Sequence, residues 1–238
     1  MLQEKPKLPL IVLGLLGLMF LLIGIFAGTI QAKRVLQEAA AIDKLPQLDA
    51  QSLENTISGT TVVVTGALEA NDGVADVGGL VIYVEEIWKI RYNDSEGSEG
   101  WEGNWDFLNV IVPDCTFSIT GGTVLINTVQ EVVIDRTYHE YKYFVPRVSR
   151  EVEGIKEGSV RRRGFKDGDL ITIIGSKDPT GVIPSRIFGG DRAAMEQYLA
   201  YQVAGLRTTG IIFSLVGIGL MIIAGYFNYR LPQVERES

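Results

Sequence analysis

The chain has 238 residues, with 22 Lys or Arg, 29 Asp or Glu and a net charge of −7 at pH 7. Residues 35–206 hold 15 of the basic and 26 of the acidic residues, a net charge of −11 that disfavours binding to nucleic acids. The single cysteine excludes an internal disulfide and a cysteine-rich zinc site.

Two long apolar segments flank the middle of the chain. The first runs from Leu8 to Ile30 and the second from Thr208 to Tyr229, and neither interior contains a charge. Each is close to the length of roughly 20 residues that a helix needs to cross a bilayer. Inside a bilayer the backbone N–H and C=O groups must bond to one another, so both segments are expected to be helices. A signal peptide is the alternative for the first segment, but its apolar run of about 23 residues is too long for one. The sequence therefore predicts a two-pass integral membrane protein in contact with the lipid bilayer.

Small residues recur at helical spacing in both apolar segments. Such residues let two helix backbones approach closely, so they predict packing between the two segments or with the membrane helices of a partner. The alternative is that glycine is simply commoner in membrane helices. The residues are Gly17, Gly24 and Gly28, with Gly14, in the first segment, and Gly210, Ser214 and Gly217, with Ala224, in the second.

The segments between the two spans carry mainly strand signals. A helical pattern after the first span ends at Pro46, and a polar connection then leads to TTVVVTGALEA, a buried strand with a predicted bulge or bend at Gly66. A long strand, LVIYVEEIWKIRY, follows, and dense strand signals extend from FLNVIV to TYHEYKYF. Late in the domain, Leu170 to Ile174 predicts a strand that Gly175 closes. Many short strands without helices predict an α+β membrane protein with an OB-like antiparallel β-barrel or sandwich.

Two stretches of this domain are candidate interaction sites. The Gly-, Ser- and acid-rich segment 93–106 predicts a hairpin loop, in which Trp101 and Trp105 either contact a partner or fold back on the sheet. Arg161, Arg162 and Arg163 form the domain's only basic run, and they predict either a solvated loop before a strand or a contact to an anion or lipid headgroups.

Catalytic chemistry is not expected. His139 is the only histidine, and a lone strand histidine flanked by tyrosines is typical of a rim position, although a pairing with Cys115 is conceivable. The sequence has no phosphate-binding loop, and its acidic loop lacks the residue order of a calcium site. We therefore predict no catalytic, cofactor-binding or metal-binding residues.

The domain ends at a glycine pair followed by a helix. Asp191 is placed to cap this helix, which continues directly into the second apolar segment. The predicted organisation is an N-terminal flank at 1–8, a membrane helix at 9–31, a stalk helix and linker at 32–60, a β domain at 61–190, a second stalk helix at 191–207, a second membrane helix at 208–229 and a tail at 230–238.

Basic residues near the chain ends predict the orientation. Lys5 and Lys7 precede the first span, and Arg230 and Arg236 follow the second. Because short-range Lys and Arg remain in the cytoplasm, we expect both termini there and the β domain outside, in a bacterial plasma membrane.

The layout resembles the GIDE domain family. The matching segments are VVVTGALEANDG with LVIYVEEIWKIRY, then FVPRV, then GFKDGDLITIIG, then Ile187 through Asp191, and the resemblance covers about Thr61 to Tyr229. It implies a membrane helix, a β-rich domain beside the membrane and a second membrane helix. Family members that are ubiquitin ligases carry a RING domain after the second span, but only LPQVERES follows here, without zinc ligands, so ligase activity is not expected.

The predicted function is a non-enzymatic, membrane-anchored interaction or scaffold module whose partner is another membrane or envelope protein. One alternative is an enzyme or small-ligand receptor that uses the barrel interior, lined by His139 and the neighbouring tyrosines. A second alternative is an accessory subunit of a membrane complex, assembled through the glycine-bearing helices.

Overall fold

The computed structural model describes residues 8–70, 78–94, 100–127, 131–144 and 150–237. The chain divides into two units, one formed by Met1–Asp43 with Glu196–Ser238 and the other by Lys44–Met195. The first unit is helical and the second is mostly β-structure.

The helical unit contains two helices long and apolar enough to span a membrane. The first comprises α1 (Leu8–Ile25), a π-helical segment (Phe26–Gln31) and α2 (Ala32–Asp43). The second belongs to a continuous helix of 46 residues, Arg192–Glu237, whose first turn lies in the β unit. Outward-facing side chains such as Leu15 and Leu215 are more than 60% exposed, as is typical of helix faces in lipid.

Among the described residues, a short helix and twelve strands make up the rest of the β unit. The short helix α3 is Ala50–Glu54, and the helix Arg192–Glu237 is α4. The strands are β1 (Thr61–Glu69), β2 (Leu80–Asn93), β3 (Gly100–Ile111), β4 (Cys115–Ile119), β5 (Gly122–Ile126), β6 (Val133–Asp135), β7 (His139–Tyr143), β8 (Glu151–Val152), β9 (Ile155–Lys156), β10 (Val160–Lys166), β11 (Leu170–Lys177) and β12 (Gly181–Gly189).

Five strands close a barrel. Their order is β11-β1-β4-β5-β12, and β12 pairs back onto β11. All these pairs are antiparallel except β12 with β5, which is parallel, so the expectation of an antiparallel barrel is met with one exception. The interior is filled by apolar side chains without solvent exposure, including Leu68, Phe117, Ile126 and Ile173.

The remaining long strands form an open antiparallel sheet of four strands in the order β3-β2-β10-β7. Two predictions are corrected here. Trp101 and Trp105 lie on strand β3, not in a hairpin loop, because residues 100–106 pair residue by residue with β2, while residues 95–99 of the predicted loop lie outside the described residues. Arg161 to Arg163 lie within strand β10, not in a loop, because β2 and β7 pair with them on both sides.

Other local predictions are corrected or confirmed by the backbone. Strand β1 passes through Gly66 without a register shift, and β11 continues past Gly175 to Lys177 with a bulge at Ile174/Gly175. The polar connection after Pro46 contains α3, which Asp49 caps by accepting from the Ser52 N–H at 2.7 Å. The predicted cap of α4 is confirmed, since the Ala194 N–H donates to Asp191 Oδ1 at 2.8 Å.

Candidate functional site

The predicted aromatic and basic residues meet on the four-stranded sheet. Strand register places Trp105 opposite Trp88 and Arg161 opposite Glu86, so tryptophans and arginines occupy neighbouring rows. Strand alternation puts Glu86, Trp88, Arg161 and Arg163 on one face and Arg162 on the other.

Glu86 holds two of the three arginines. Its carboxylate accepts from Arg161 Nε at 2.8 Å and from Arg163 Nε and Nη2 at 3.0 Å each, although Glu86 is only 9% exposed. Burial alone would raise the pKa of Glu86, but hydrogen bonds and attraction from Arg163 and Arg161 outweigh it and lower that pKa. On the opposite face, Arg162 donates to Glu85 at 2.8 Å. The arginine run is thus paired with carboxylates of its own sheet.

The two predicted tryptophans have different environments. Trp105 packs edge to face on Trp88 at 5.1 Å between ring centroids, and the Arg161 guanidinium lies 4.6 Å above its ring. Trp101 is 47% exposed, although the Arg150 guanidinium lies 4.2 Å from its ring centroid. Trp105 therefore belongs to the packing of the sheet, whereas much of Trp101 remains available for contact.

Strand β3 also exposes two residues that the sequence did not single out. Phe107 is 66% exposed and Leu108 is 51% exposed. Phe107 lies opposite Glu86 and Asn109 lies opposite Glu85, so Leu108 is the extra residue of a β-bulge in β3. Within the described residues, β3 is the outermost strand of its sheet. We call Trp101, Phe107 and Leu108 the β3 edge surface. The sequence feature that could have identified it is the adjacent pair of bulky apolar residues, Phe107 and Leu108, which breaks the alternation expected of a strand.

The two residues considered for nucleophilic chemistry lie in different sheets. His139 is on β7, where its Nε2 lies 3.0 Å from Asp169 Oδ2. Cys115 is on β4 in the barrel, fully buried, and burial followed by repulsion from Asp114 raises its pKa to about 12. Because the thiolate is the reactive form, this thiol is not primed as a nucleophile.

The described part of the chain contains no cluster of three or more His, Cys, Asp or Glu side chains placed to hold a metal ion. These are the side-chain types that most often bind zinc and calcium.

The small residues of the apolar helices face one another within the helical unit. A Cβ atom built on Gly24 would lie 2.6 Å from the Gly210 carbonyl oxygen and 2.4 Å from the Ser214 hydroxyl, and one on Gly17 would lie 2.8 Å from the Gly217 carbonyl. Gly28 makes a similar approach to Gly210. The two helices pack antiparallel, and larger residues would separate them at these positions.

Comparisons with protein-family models, curated proteins and solved structures found no match to this chain.

Proposed function

We propose that the chain is a non-enzymatic, membrane-anchored binding module whose β domain holds a partner protein at the edge of strand β3. The β3 edge surface carries the proposal. Long exposed edge strands with apolar side chains are uncommon because they invite pairing with other chains, and proteins usually protect them with charges, prolines or covering segments. Proteins that bind extended peptides use such edges to add a strand from the partner.

The chemistry of this edge favours one kind of occupant. An added strand would pair with the backbone of β3 and place apolar side chains against Phe107 and Leu108, which are more than half exposed. The strong negative charge of residues 35–206 favours a partner segment with basic residues. The proposed occupant is therefore an extended, apolar and basic segment of another membrane or envelope protein.

The two apolar helices supply the anchor in this proposal. Both would cross the bilayer, with the termini in the cytoplasm and the β domain outside a bacterial plasma membrane. The small residues of each helix contact the other helix, so the same faces are not available to a partner's helices. This arrangement supports an internal helical hairpin more than a subunit that assembles through its glycines.

The barrel supports a binding module more than an interior receptor. Its interior contains buried side chains such as Phe117 and Ile126, which supports a packed core more than a ligand-binding interior. If the five barrel strands β1, β4, β5, β11 and β12 are renumbered 1 to 5 in chain order, their order around the barrel is 1-2-3-5-4. This order supports an OB-like assignment. A β-rich domain between two apolar helices also agrees with the proposed membership of the GIDE domain family.

Charges introduced at the β3 edge test the binding site. Lysines at both positions, Phe107→Lys with Leu108→Lys, should reduce recovery of a bound partner at least tenfold when the full chain is purified in mild detergent and partners are quantified by mass spectrometry. Tyr143→Lys is the matched control, because Tyr143 is 56% exposed on β7 at the opposite edge of the sheet. If the double lysine variant and Tyr143→Lys recover the same amount of partner, whether undiminished or equally reduced, the β3 edge is refuted as the docking site.

A second pair of variants tests the helical hairpin. Gly217→Leu should weaken helix packing by about 1–3 kcal/mol, because a Cβ at Gly217 would lie 2.5 Å from the Gly17 carbonyl oxygen. Gly219→Leu in the same helix is the control, since nothing lies within 4 Å of a Cβ at that position. The measurement is reversible unfolding of the full chain in mixed micelles, and equal effects of both variants would argue against the hairpin.

A further inference from the structure

A small cavity lies beside the barrel, outside its filled interior. Its walls come from α3, the turn between β4 and β5, and the turn between β11 and β12, and its volume is about 310 Å³. That volume lies at the lower end of the range for ligand pockets, so it suits a molecule of few atoms. The residues that line the cavity include Leu53, Glu54, Val124, Lys177, Pro179 and Thr180.

Lys177 is the buried charge in the wall of this cavity. The residue is only 8% exposed, and its backbone is fixed by hydrogen bonds to Thr60 and Gly59 of 2.8 and 2.7 Å. Its ammonium donates to the carbonyl oxygen of Asp178. An ammonium group has three donors, yet no carboxylate of the described residues lies within ion-pair distance of Lys177.

The neighbouring carboxylate of Asp178 is used by its own turn. Asp178 Oδ2 accepts from the Thr180 hydroxyl at 2.8 Å and from Asn127 Nδ2 at 2.9 Å. The Thr180 hydroxyl makes the largest contribution to lowering the pKa of Asp178, and the Lys177 charge adds a smaller one. Because the Asp178 carboxylate already accepts from Thr180 and Asn127, an anion in the adjoining cavity would offset more of the cost of burying the Lys177 ammonium.

We propose that this cavity binds a small aliphatic monocarboxylate, with Lys177 pairing with its carboxylate group. Leu53, Val124 and Pro179 in the walls provide apolar surface for a short alkyl chain. The exposed Glu54 carboxylate also lines the cavity and repels a second negative charge. The site therefore prefers a monoanion to a dianion.

Ligand titration of the full chain in mild detergent, followed by saturation-transfer NMR, tests the site. The probes are butyrate, its neutral analogue butyramide, the dianion succinate and inorganic phosphate. Butyrate should bind, and the other three should bind at least tenfold more weakly. Lys177→Met, which keeps the aliphatic stem, should weaken butyrate binding at least tenfold, whereas Lys166→Met, outside the cavity, should leave it unchanged.

A second variant keeps the test decisive if Lys177→Met does not fold. Glu54 is exposed, and Glu54→Gln should reduce the difference in affinity between butyrate and succinate by strengthening succinate binding. Butyrate binding that is absent at tens of millimolar, equalled by butyramide or phosphate, or unaffected by Lys177→Met would overturn the proposal. An unchanged ratio of butyrate affinity to succinate affinity in Glu54→Gln would overturn the proposed preference for a monoanion over a dianion.

Discussion

The two sheets of the β unit use different means to hold their strands. The closed barrel has no free edge among its five strands and fills its interior with side chains such as Phe117 that have no exposure. The open sheet has two edges and buries Glu86 against Arg161 and Arg163 beside a packed pair of tryptophans. The barrel depends on apolar burial, whereas the open sheet combines apolar packing with charge pairing.

The difference indicates a division of roles between the sheets. Buried ion pairs contribute little net stability compared with apolar packing of the same volume, but breaking one is costly. The sheet that carries such pairs is also the one with exposed aromatic residues on an edge strand. We infer that the barrel maintains the fold and that the open sheet presents a surface.

The largest effect expected is in the barrel. Phe117→Ala should lower the free energy of unfolding by about 3–5 kcal/mol, because it opens a cavity among fully buried side chains. Phe107→Ala is the matched control in the open sheet, where the ring is 66% exposed, and it should cost less than about 1 kcal/mol. Thermal and denaturant unfolding of the full chain in detergent measures both, and similar losses would contradict the division.

A smaller effect is expected for Glu86→Gln in the open sheet. Removing this carboxylate takes away the charge that Arg161 and Arg163 share, leaves Arg161 with a longer contact of 3.8 Å to Glu140, and should cost about 3 kcal/mol at pH 7. Glu140→Gln, with a side chain 40% exposed, should cost less than about 1 kcal/mol.

The loss in Glu86→Gln should also depend on pH. Because the folded pKa of Glu86 is lowered from 4.5, its charge stabilises the fold fully above that value, and the stabilisation disappears as pH falls through the lower folded pKa. The difference between wild type and Glu86→Gln should therefore be constant near neutrality and shrink in acid. Unfolding measured as a function of pH checks this, and a pH-independent difference would indicate packing instead of charge.

The smallest effect expected comes from a glycine beneath a tryptophan. Gly103→Ala should cost about 1–3 kcal/mol, because its Cβ would lie 2.0 Å from the Trp88 ring. Gly100→Ala on the same strand meets nothing within 4 Å and should be neutral or slightly stabilising. Unfolding midpoints and the tryptophan fluorescence spectrum distinguish the two, and an unchanged midpoint and spectrum in Gly103→Ala would contradict the expected clash with the Trp88 indole.

Sequence periodicity predicted the strands better than it predicted their ends and partners. Alternation in the segment that became β2 indicated a long strand, and β-branched runs indicated β1 and β11. Composition misled at residues 100–106 and at Arg161–Arg163, because glycine and charge favour loops locally whereas pairing across strands decides the outcome. Glu86, which accepts a hydrogen bond from Arg163, lies 77 residues away along the chain, and no local pattern specifies such a contact.

The cavity near Lys177 was also beyond prediction from sequence. It is formed by α3, two hairpin turns and a lysine whose burial depends on all three. The helical spacing of small residues, in contrast, is a local pattern, and it predicted that these residues pack against another helix, either of this chain or of a partner. Gly24 and Gly210 could be identified from one-dimensional periodicity because a helix repeats regularly.

Cys115 makes the native chain suitable for site-specific labelling. Its thiol is the only one in the chain, lies fully inside the barrel and stays protonated at neutral pH. Maleimide reagents should leave it unmodified in the folded protein, so a cysteine introduced on the surface would take up a spin label or a fluorophore selectively. Distances from the β domain to a bilayer can then be measured without first removing the natural thiol.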